Sequence, residues 1–308
     1  MRIVFMGTPE VAAFSLERLL QGTDPVIGVV TRPDRPSGRG QKMAPSPVRK
    51  VAESHSVPVL APEKIRDPSF LEVMKKLAPD LIVVVAYGRI LPRQILALAQ
   101  HGCLNVHYSL LPKYRGAAPV AWAIINGEKQ SGVTTMRLVE QMDAGPIFLQ
   151  RAIPLAEDET RISLQSKLAP LGAELLVETI AGLKAEKIAP KDQNESEASY
   201  APILKKEDGL IDWNLPAAAL ERRVRGLVPW PSAFTYLAGN LLKIHRARVV
   251  ETTTNTTPGE VVKADKEGLW IAAGNGVLSL EQVQLENKKR MTAGEFLHGT
   301  RIEKGARL

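Results

Sequence analysis

The first half of the chain alternates between short apolar runs and segments in which apolar residues recur at helical spacing. Uninterrupted β-branched runs such as 81–86 are typical of strands covered on both faces, and intervals of three and four are typical of amphipathic helices. The pattern predicts strands at 3–6, 26–30, 81–86, 104–107, 134–138 and 147–153, and helices at 10–21, 47–55, 69–77, 95–99 and from 164 towards 186. This alternation predicts an α/β domain with a mainly parallel, doubly wound sheet over residues 1–186.

The pattern changes after a polar segment at 187–205, which has prolines near both ends and is predicted to be a linker. Short strand candidates then follow one another closely, separated by Gly, Asn, Thr and Pro, at 234–236, 241–244, 247–250, 260–264, 269–272 and 277–283. Closely spaced short strands predict a small β-barrel domain over residues 206–308.

Composition narrows the class of protein. A length of 308 residues favours two domains, and the chain has no apolar run near 18 residues, so we expect no membrane span. Its single cysteine excludes an internal disulfide framework and fits the reducing cytoplasm. The N-terminus lacks the layout of a signal peptide. A formal net charge of +7 favours an anionic partner such as nucleic acid, although many basic proteins bind none.

Two polar residues stand out at the end of one predicted strand. Side chains alternate along a strand, so Asn105 and His107 lie on the same face, about 7 Å apart at Cα. Pro112 ends the run by removing a backbone donor. The carboxyl ends of strands in open α/β sheets are where ligands bind. The pair therefore predicts a reaction site, although a single histidine near a strand end is usually structural.

A second candidate is Asp143, which lies in a turn marked by Gly145-Pro146. It could pair with His107 or simply cap the turn, and the residues alone leave both readings open. His101, Cys103 and His107 are zinc-ligand types, but all come from one strand region, so we expect no metal. We expect Cys103 to be a small buried apolar residue. Gly7-Thr8-Pro9 lacks the further glycines of a dinucleotide-binding fingerprint.

Residues 32–47 form a long, basic loop rich in glycine and proline, predicted to be mobile. It follows a strand on the same edge as Asn105 and His107, so its cations could contact a phosphate backbone. The alternative is a solvated surface loop. Basic residues of the second domain, including the cluster Arg222, Arg223 and Arg225, would likewise suit backbone contacts to RNA.

Several motifs in order resemble the formyltransferases that use 10-formyltetrahydrofolate, and within them the group that acts on methionyl-tRNA. They are Phe5-Met6-Gly7-Thr8-Pro9, Pro33-Asp34-Arg35-Pro36-Ser37-Gly38-Arg39-Gly40, Asn105-Val106-His107-Tyr108-Ser109-Leu110-Leu111-Pro112, Arg115-Gly116-Ala117-Ala118-Pro119, Met142-Asp143-Ala144-Gly145 and Pro229-Trp230-Pro231. The resemblance implies a Rossmann-like catalytic domain, a linker and an OB-like barrel that helps to hold tRNA.

The resemblance also implies roles for residues. It implies a catalytic trio of Asn105, His107 and Asp143. Folate contacts are implied for Ser109, Leu110, Leu111, Pro112, Tyr87, Gly88, Arg89, Ile90, Leu91, Gln141 and Met142. Contacts with tRNA are expected for Arg35, Arg39, Lys42, Arg246 and Arg248. The implied formyl donor is 10-formyltetrahydrofolate, without a metal, and the implied acceptor is initiator Met-tRNA. A cytoplasmic monomer is expected.

Two alternatives remain at this point. The chain could formylate a small amine such as a nucleotide sugar or glycinamide ribotide, but such an acceptor needs neither a long basic loop nor a barrel. It could also be a non-catalytic RNA-binding relative with a decayed folate pocket. The intact set of Asn105, His107 and Asp143 argues against decay.

Overall fold

The chain forms two compact units. The computed structural model describes residues 1–37, 42–252, 254–265 and 268–308, with only the backbone described at 35–37 and 42. The first unit comprises residues 1–119, 130–154 and 165–202, and the second comprises 120–129, 155–164 and 203–308. This division differs from the predicted boundaries at 186 and 206. Most of the predicted linker belongs to the first unit because its backbone bonds there, as where Lys191 and Ile147 exchange N–H···O=C bonds of 2.7 and 2.8 Å.

The first unit is built on a seven-stranded sheet in the order β5-β2-β1-β6-β7-β8-β9. The strands up to residue 154 are β1 (Ile3–Gly7), β2 (Val26–Val30), β3 (Arg35–Ser37), β4 (Lys42–Ala44), β5 (Val59–Leu60), β6 (Leu81–Val85), β7 (Cys103–His107), β8 (Gln130–Arg137) and β9 (Ile147–Pro154). The neighbours from β5 to β7 pair in parallel, and β8 and β9 add antiparallel strands at one edge. The predicted mainly parallel, doubly wound sheet is confirmed.

Helices α1 (Glu10–Leu20), α2 (Pro47–Ser54), α3 (Pro68–Leu77) and α4 (Arg93–Leu96) connect strands of this unit. Helix α5 (Pro119–Ile125) lies almost entirely in the stretch 120–129 of the second unit, and α6 (Arg161–Lys184) follows β9. Ser46 caps α2 by accepting the Arg49 N–H, and Asp67 caps α3 by accepting the Ser69 N–H. In the part of the chain that the structure describes, no helix combines the length and apolar character needed to cross a bilayer.

The core explains why the strand pattern is easy to recognise. Every residue of β1 and β6 is buried, so these strands carry apolar runs rather than alternation. Strand β7 is buried along its whole length as well, although two of its five side chains are polar. Val4, Ile82 and Cys103 belong to a buried cluster that also contains Phe70 and Met74 of α3. Pairing with β6 on one side and β8 on the other fixes the position of β7 in the sheet.

Some local predictions differ from the structure. The basic loop contains a short antiparallel hairpin of β3 and β4, in which Arg35 pairs with Ala44. Its alternation is too brief to predict a strand, since each arm has only three residues. Helix α4 is a single turn that begins at Arg93, directly after Pro92, and not at residue 95. The two-residue β5 and helix α5 escape the periodicity search because they are short.

The second unit contains an antiparallel sheet in the order β10-β11-β14-β13-β12, with β15 beside β14. Its elements are α7 (Ala217–Leu227), β10 (Ala233–Leu237), β11 (Asn240–Val250), β12 (Val261–Asp265), β13 (Gly268–Ala272), β14 (Val277–Leu285), β15 (Met291–Thr292) and α8 (Ala293–Gly299). The candidates at 241–244 and 247–250 are one strand, β11, with irregular register around Arg246. The predicted set of short, closely spaced strands is confirmed, and closure into a barrel stays a prediction.

The arginine cluster of α7 bonds to the protein itself. Arg222 donates to the carbonyl oxygen of Ile125 over 3.3 Å, and Arg223 to that of Asp208 over 2.6 Å. Arg225 donates to the carbonyl oxygen of Glu159 over 2.6 Å and pairs with Glu221. The structure therefore assigns these three guanidinium groups to internal hydrogen bonds, a use that a sequence cluster of basic residues does not reveal.

Candidate active site

Strand β7 brings Asn105 and His107 to the carboxyl edge of the parallel strands. Asn105 pairs with Val84 of β6, and His107, the last residue of β7, pairs with Thr134 of β8. Both residues are buried, with exposed fractions of 8% and 6%. The structure thus places an amide and an imidazole side by side at this edge, as the strand pattern predicts.

The imidazole of His107 lies between a carbonyl group and a carboxylate. Its Nε2 is 2.9 Å from the carbonyl oxygen of Tyr114. A carbonyl oxygen only accepts, so Nε2 carries the hydrogen of this bond. Nδ1 is 3.7 Å from Oδ2 of Asp143, within reach of charge pairing but longer than a hydrogen bond. The structure therefore supports the pairing of His107 with Asp143 that the residues alone left open.

Asp143 lies in the turn between β8 and β9 with an unusual backbone. Its φ of 49° is in the left-handed region, which costs a residue with a side chain about 1–2 kcal/mol. Its Oδ2 accepts the backbone N–H of Gly116 over 2.8 Å. The carboxylate therefore does more than cap its own turn, because it bonds to the loop that follows β7.

That loop, residues 108–116, is anchored to the antiparallel edge strands. The Thr134 hydroxyl donates to the carbonyl oxygen of Ser109 over 2.7 Å and accepts the N–H of Leu111 over 3.2 Å. Gln150 of β9 donates to the carbonyl oxygen of Leu111 over 2.8 Å. The hydroxyl of Ser109 donates to the carbonyl oxygen of Lys113 over 2.6 Å. The predicted folate-contacting stretch is therefore bonded to Thr134 and Gln150, two side chains that the sequence analysis did not single out.

The other predicted folate contacts lie in two segments, 87–91 and 141–142. An exposed ion pair joins residues just outside them, Arg93 at the start of α4 and Glu140, over 3.5 Å. Ile90 and Met142 expose 70% and 57% of their surface, whereas Leu91 belongs to the core cluster. Arg89 donates to the carbonyl oxygen of Pro62 over 2.8 Å. The exposed members of the two segments, rather than Leu91, are the ones available to a ligand.

Tyr87 supplies a polar group to the same region. The residue is 1% exposed and belongs to the core cluster. Burial raises the pKa of its hydroxyl, and the nearby cations of Arg89 and Arg32 oppose that rise, Arg89 also as a hydrogen-bond donor. The hydroxyl is therefore an internal group, and Ile90 and Met142 are the exposed apolar side chains of these two segments.

The structure describes the side chains of only some of the residues predicted to contact tRNA. Arg35 and Lys42 have their backbones in the hairpin of β3 and β4, and Arg39 lies outside the described residues. Arg246 and Arg248 on β11 are exposed and share Glu281, with nitrogen–oxygen distances of 2.8 and 3.2 Å. One carboxylate therefore offsets part of the charge of this arginine pair.

Cys103 behaves as a buried apolar residue. It is 1% exposed, and its Sγ is 3.6 Å from the carbonyl oxygen of Ile95. Burial raises the pKa of the thiol to about 12. The thiol thus stays protonated near neutral pH, which leaves it without a nucleophilic role.

Sequence reasoning missed the residues that hold the site together. Arg115 is fully buried, and its guanidinium bonds to Gln193 and Glu195. Gln193 in turn donates to the carbonyl oxygen of Asp143. No local signal marks Gln193, because it lies in a polar segment 50 residues after Asp143. The signal available in the sequence was Arg115 itself, a cation in the loop between β7 and α5.

A doubly wound sheet that carries a buried amide, an imidazole and a carboxylate at its carboxyl edge has the arrangement of an α/β enzyme. Residues 1–180 match the family described as formyl transferase, and residues 203–301 match the formyl transferase C-terminal domain. The chain belongs to the formyl transferase family.

Relatives agree over nearly the whole length. The chain is 47% identical over 308 residues to the methionyl-tRNA formyltransferase of Geobacter sulfurreducens, covering 100% of this chain and 96% of that protein. It is 51% identical over 302 residues to the methionyl-tRNA formyltransferase of Desulfotalea psychrophila, covering 98% and 94%. The fold resembles the crystal structure of an N-formyltransferase from Helicobacter canadensis in complex with folinic acid and dTDP-3-aminofucose. The TM-score is 0.71 at 18% identity, covering 92% of this chain and 100% of that one.

Proposed function

We propose that this protein transfers the formyl group of 10-formyltetrahydrofolate to the amine of methionine on initiator Met-tRNA. The product is N-formylmethionyl-tRNA for translation initiation. The full-length similarity to two methionyl-tRNA formyltransferases supports this acceptor. The observation that carries the chemistry is the placement of the His107 imidazole between Tyr114 and Asp143, on the same face of β7 as Asn105.

Asn105 and His107 are proposed to stabilise charge on the formyl oxygen. When the amine attacks the formyl carbon, negative charge develops on that oxygen, and preorganised donors in a buried site stabilise it strongly. The amide of Asn105 is one such donor. The Nε2–H of His107 already donates to the carbonyl oxygen of Tyr114. A hydrogen bond from His107 to the formyl oxygen therefore has to come from Nδ1. Nδ1 carries a hydrogen in the imidazolium form, whose charge would face Asp143.

Asp143 is proposed to hold the imidazole and to accept a proton. The attacking amine becomes positively charged and has to lose a proton, while the bond between the formyl carbon and the donor nitrogen breaks and that nitrogen gains a proton. A carboxylate that is 15% exposed at its side chain is accessible to a water that relays this proton. The hydrogen bond from Gly116 fixes Oδ2 on the His107 side. General base assistance of this kind contributes about 10²–10⁴ in rate.

The donor is proposed to bind along the loop 109–112 and between the segments 87–91 and 141–142. When bound, it supplies a formyl group on nitrogen, which is an activated acyl group. The exposed side chains of Ile90 and Met142 support this placement. The folinic acid in the complex of the Helicobacter canadensis protein belongs to the same chemical class.

The acceptor is proposed to be held by two sets of basic residues. Arg35, Arg39 and Lys42 belong to the loop after β2, and Arg246 and Arg248 project from β11. Contacts of this kind fix position on a phosphate backbone without reading its sequence. We propose that the protein acts in the cytoplasm, because translation initiation takes place there. We also propose that it acts as a monomer.

The purified protein tests this function with 10-formyltetrahydrofolate and charged initiator Met-tRNA. The expected result is formylmethionine on the tRNA, with Asn105→Ala, His107→Ala and Asp143→Ala each losing turnover while they remain folded. Absence of formylmethionine at high enzyme concentration would overturn the proposal. Product formed only from a small amine, such as a nucleotide sugar or glycinamide ribotide, would establish the alternative acceptor. Binding of RNA without binding of folate would establish a non-catalytic relative.

A further inference from the structure

Arg115 is a buried cation whose charge is balanced by one short segment. Its Nε and Nη2 donate to Oε1 of Gln193 over 3.0 and 2.8 Å, and Nη1 and Nη2 donate to the carboxylate of Glu195 over 2.9 and 2.7 Å. The hydrogen bond with Glu195 raises the pKa of the guanidinium above its usual value. A buried guanidinium requires such partners because its desolvation is costly. The segment 193–195 therefore has its position fixed by Arg115.

The amide nitrogen of Gln193 bonds to the turn that contains Asp143. Its Nε2 donates to the carbonyl oxygens of Asp143 and Gly145 over 2.8 and 2.7 Å. Both amide hydrogens are thereby used, while the amide oxygen accepts from Arg115. The orientation of this amide is thus fixed by the network, since a flipped amide would oppose oxygen to two carbonyl groups.

Hydrogen bonds of Arg115 help to position both groups that face the His107 imidazole, the carbonyl oxygen of Tyr114 and the carboxylate of Asp143. The backbone N–H of Arg115 donates to the carbonyl oxygen of Ser199 over 2.8 Å, and its carbonyl oxygen accepts from the N–H of Ala201 over 2.7 Å. These bonds fix the peptide groups on either side of Arg115. The carbonyl oxygen of Tyr114 accepts from His107, and the N–H of Gly116 donates to Asp143. Arg115 therefore reaches Asp143 by two routes, from its side chain through Gln193 and from its backbone through Gly116.

We propose that Gln193 is a positioning residue that holds the turn at Asp143 so that the carboxylate faces Nδ1 of His107. The left-handed backbone of Asp143 is strained, and strained residues persist where surrounding bonds hold them. The two hydrogen bonds from Gln193 supply that restraint at the main chain. This role rests on the proposed formyl transfer, because it assigns Gln193 a part in the action of Asp143.

The substitution Gln193→Glu isolates this contact. Glutamate keeps an oxygen for Arg115 and loses the two N–H donors, so it sets an oxygen against the carbonyl groups of Asp143 and Gly145. We expect kcat to fall about ten- to hundredfold, as small misplacements near reacting groups do, with KM for both substrates unchanged. Asp192→Asn is the matched control because Asp192 is the exposed neighbour in the same segment.

A double-mutant cycle with Asp143→Asn distinguishes positioning from general support of the fold. Single-turnover rates of formylmethionyl-tRNA formation are measured for the wild type, both single variants and the double variant. If Gln193 acts through Asp143, adding Gln193→Glu to Asp143→Asn produces no further loss. If the two losses multiply, or if Asp192→Asn matches Gln193→Glu, the proposal is overturned.

Thermal unfolding checks that the Gln193→Glu variant is folded. If it is not, Gln193→Met takes the place of Gln193→Glu in the cycle. Methionine preserves length and removes the same two donors without adding a charge, and it also removes the oxygen that accepts from Arg115. A wild-type protein that forms no formylmethionyl-tRNA would instead overturn the proposed function. A wild type that is active, with multiplicative losses in the cycle, would overturn the positioning role alone.

Discussion

The Nε2–H of His107 donates to the carbonyl oxygen of Tyr114 over 2.9 Å, which commits one imidazole nitrogen to the protein. The other nitrogen, Nδ1, faces Asp143 at 3.7 Å. The two nitrogens therefore have separate tasks, orientation through Nε2 and the proposed chemistry through Nδ1. The same bond ties the end of β7 to the loop that follows it.

His107→Gln separates these tasks because the glutamine amide can replace Nε2–H but not Nδ1. We expect the variant to keep the bond to Tyr114 and to unfold near the wild-type temperature. We expect kcat to fall about 10²–10³-fold, the usual effect of losing one donor to a developing oxyanion. Steady-state kinetics and thermal unfolding measure the two quantities. A rate near that of the wild type would remove Nδ1 from the mechanism.

Gly116→Ala tests the contact between the loop and Asp143. Gly116 has a φ of 120°, and an added Cβ would lie 2.6 Å from the carbonyl oxygen of Ala201, so the N–H that bonds to Asp143 has to move. We expect lower stability together with a lower kcat. Unfolding by denaturant and formyl-transfer kinetics check both effects.

Gly102→Ala is the control for that substitution. Gly102 has a φ of 72°, and a Cβ there would meet no described atom within 4 Å. We expect it to cost about 1–2 kcal/mol through backbone strain alone and to leave kcat unchanged. Equal losses of kcat in the two variants would show that the contact at Gly116 has no special role.

The prediction of the fold from sequence succeeded where burial is continuous. Strands β1 and β6 are buried along their whole length, so their apolar runs are visible without any knowledge of contacts. The hairpin of β3 and β4 and the two-residue β5 are too short for periodicity to detect.

For the site, the sequence could place Asn105 and His107 on one face because that follows from strand geometry. It could not place Asp143 beside them, since the distance depends on how the turn between β8 and β9 folds back. Nor could it identify Gln193, whose polar segment resembles a linker although its backbone and side chains bond to the first unit. Partners far apart in sequence and polar in character leave no periodic signal.

The thiol of Cys103 should be almost inert in the folded protein. With a pKa of about 12, only about 10⁻⁴ of it is ionised at pH 8, and the residue is 1% exposed. We expect a thiol reagent to label the native protein very slowly and to label one cysteine per chain in guanidinium chloride. Rapid labelling of the native protein would contradict the described packing around β7.

Glu281→Gln tests the arginine pair on β11. Glu281 bonds to both Arg246 and Arg248, so its neutral replacement leaves more positive charge for a phosphate backbone. We expect tighter binding of tRNA, whereas Arg246→Ala should weaken binding and reduce the salt slope by about one. Titrations at several salt concentrations measure both effects. Unchanged affinity in both variants would place the tRNA elsewhere.

The most direct test of the account is the rate of formyl transfer from 10-formyltetrahydrofolate to three amines: initiator Met-tRNA, elongator Met-tRNA and free methionine. The proposed function predicts rapid formation of formylmethionine on the initiator tRNA, slower reaction with the elongator tRNA and negligible reaction with free methionine. Equal rates with free methionine and charged initiator tRNA, or no transfer to either, would contradict it.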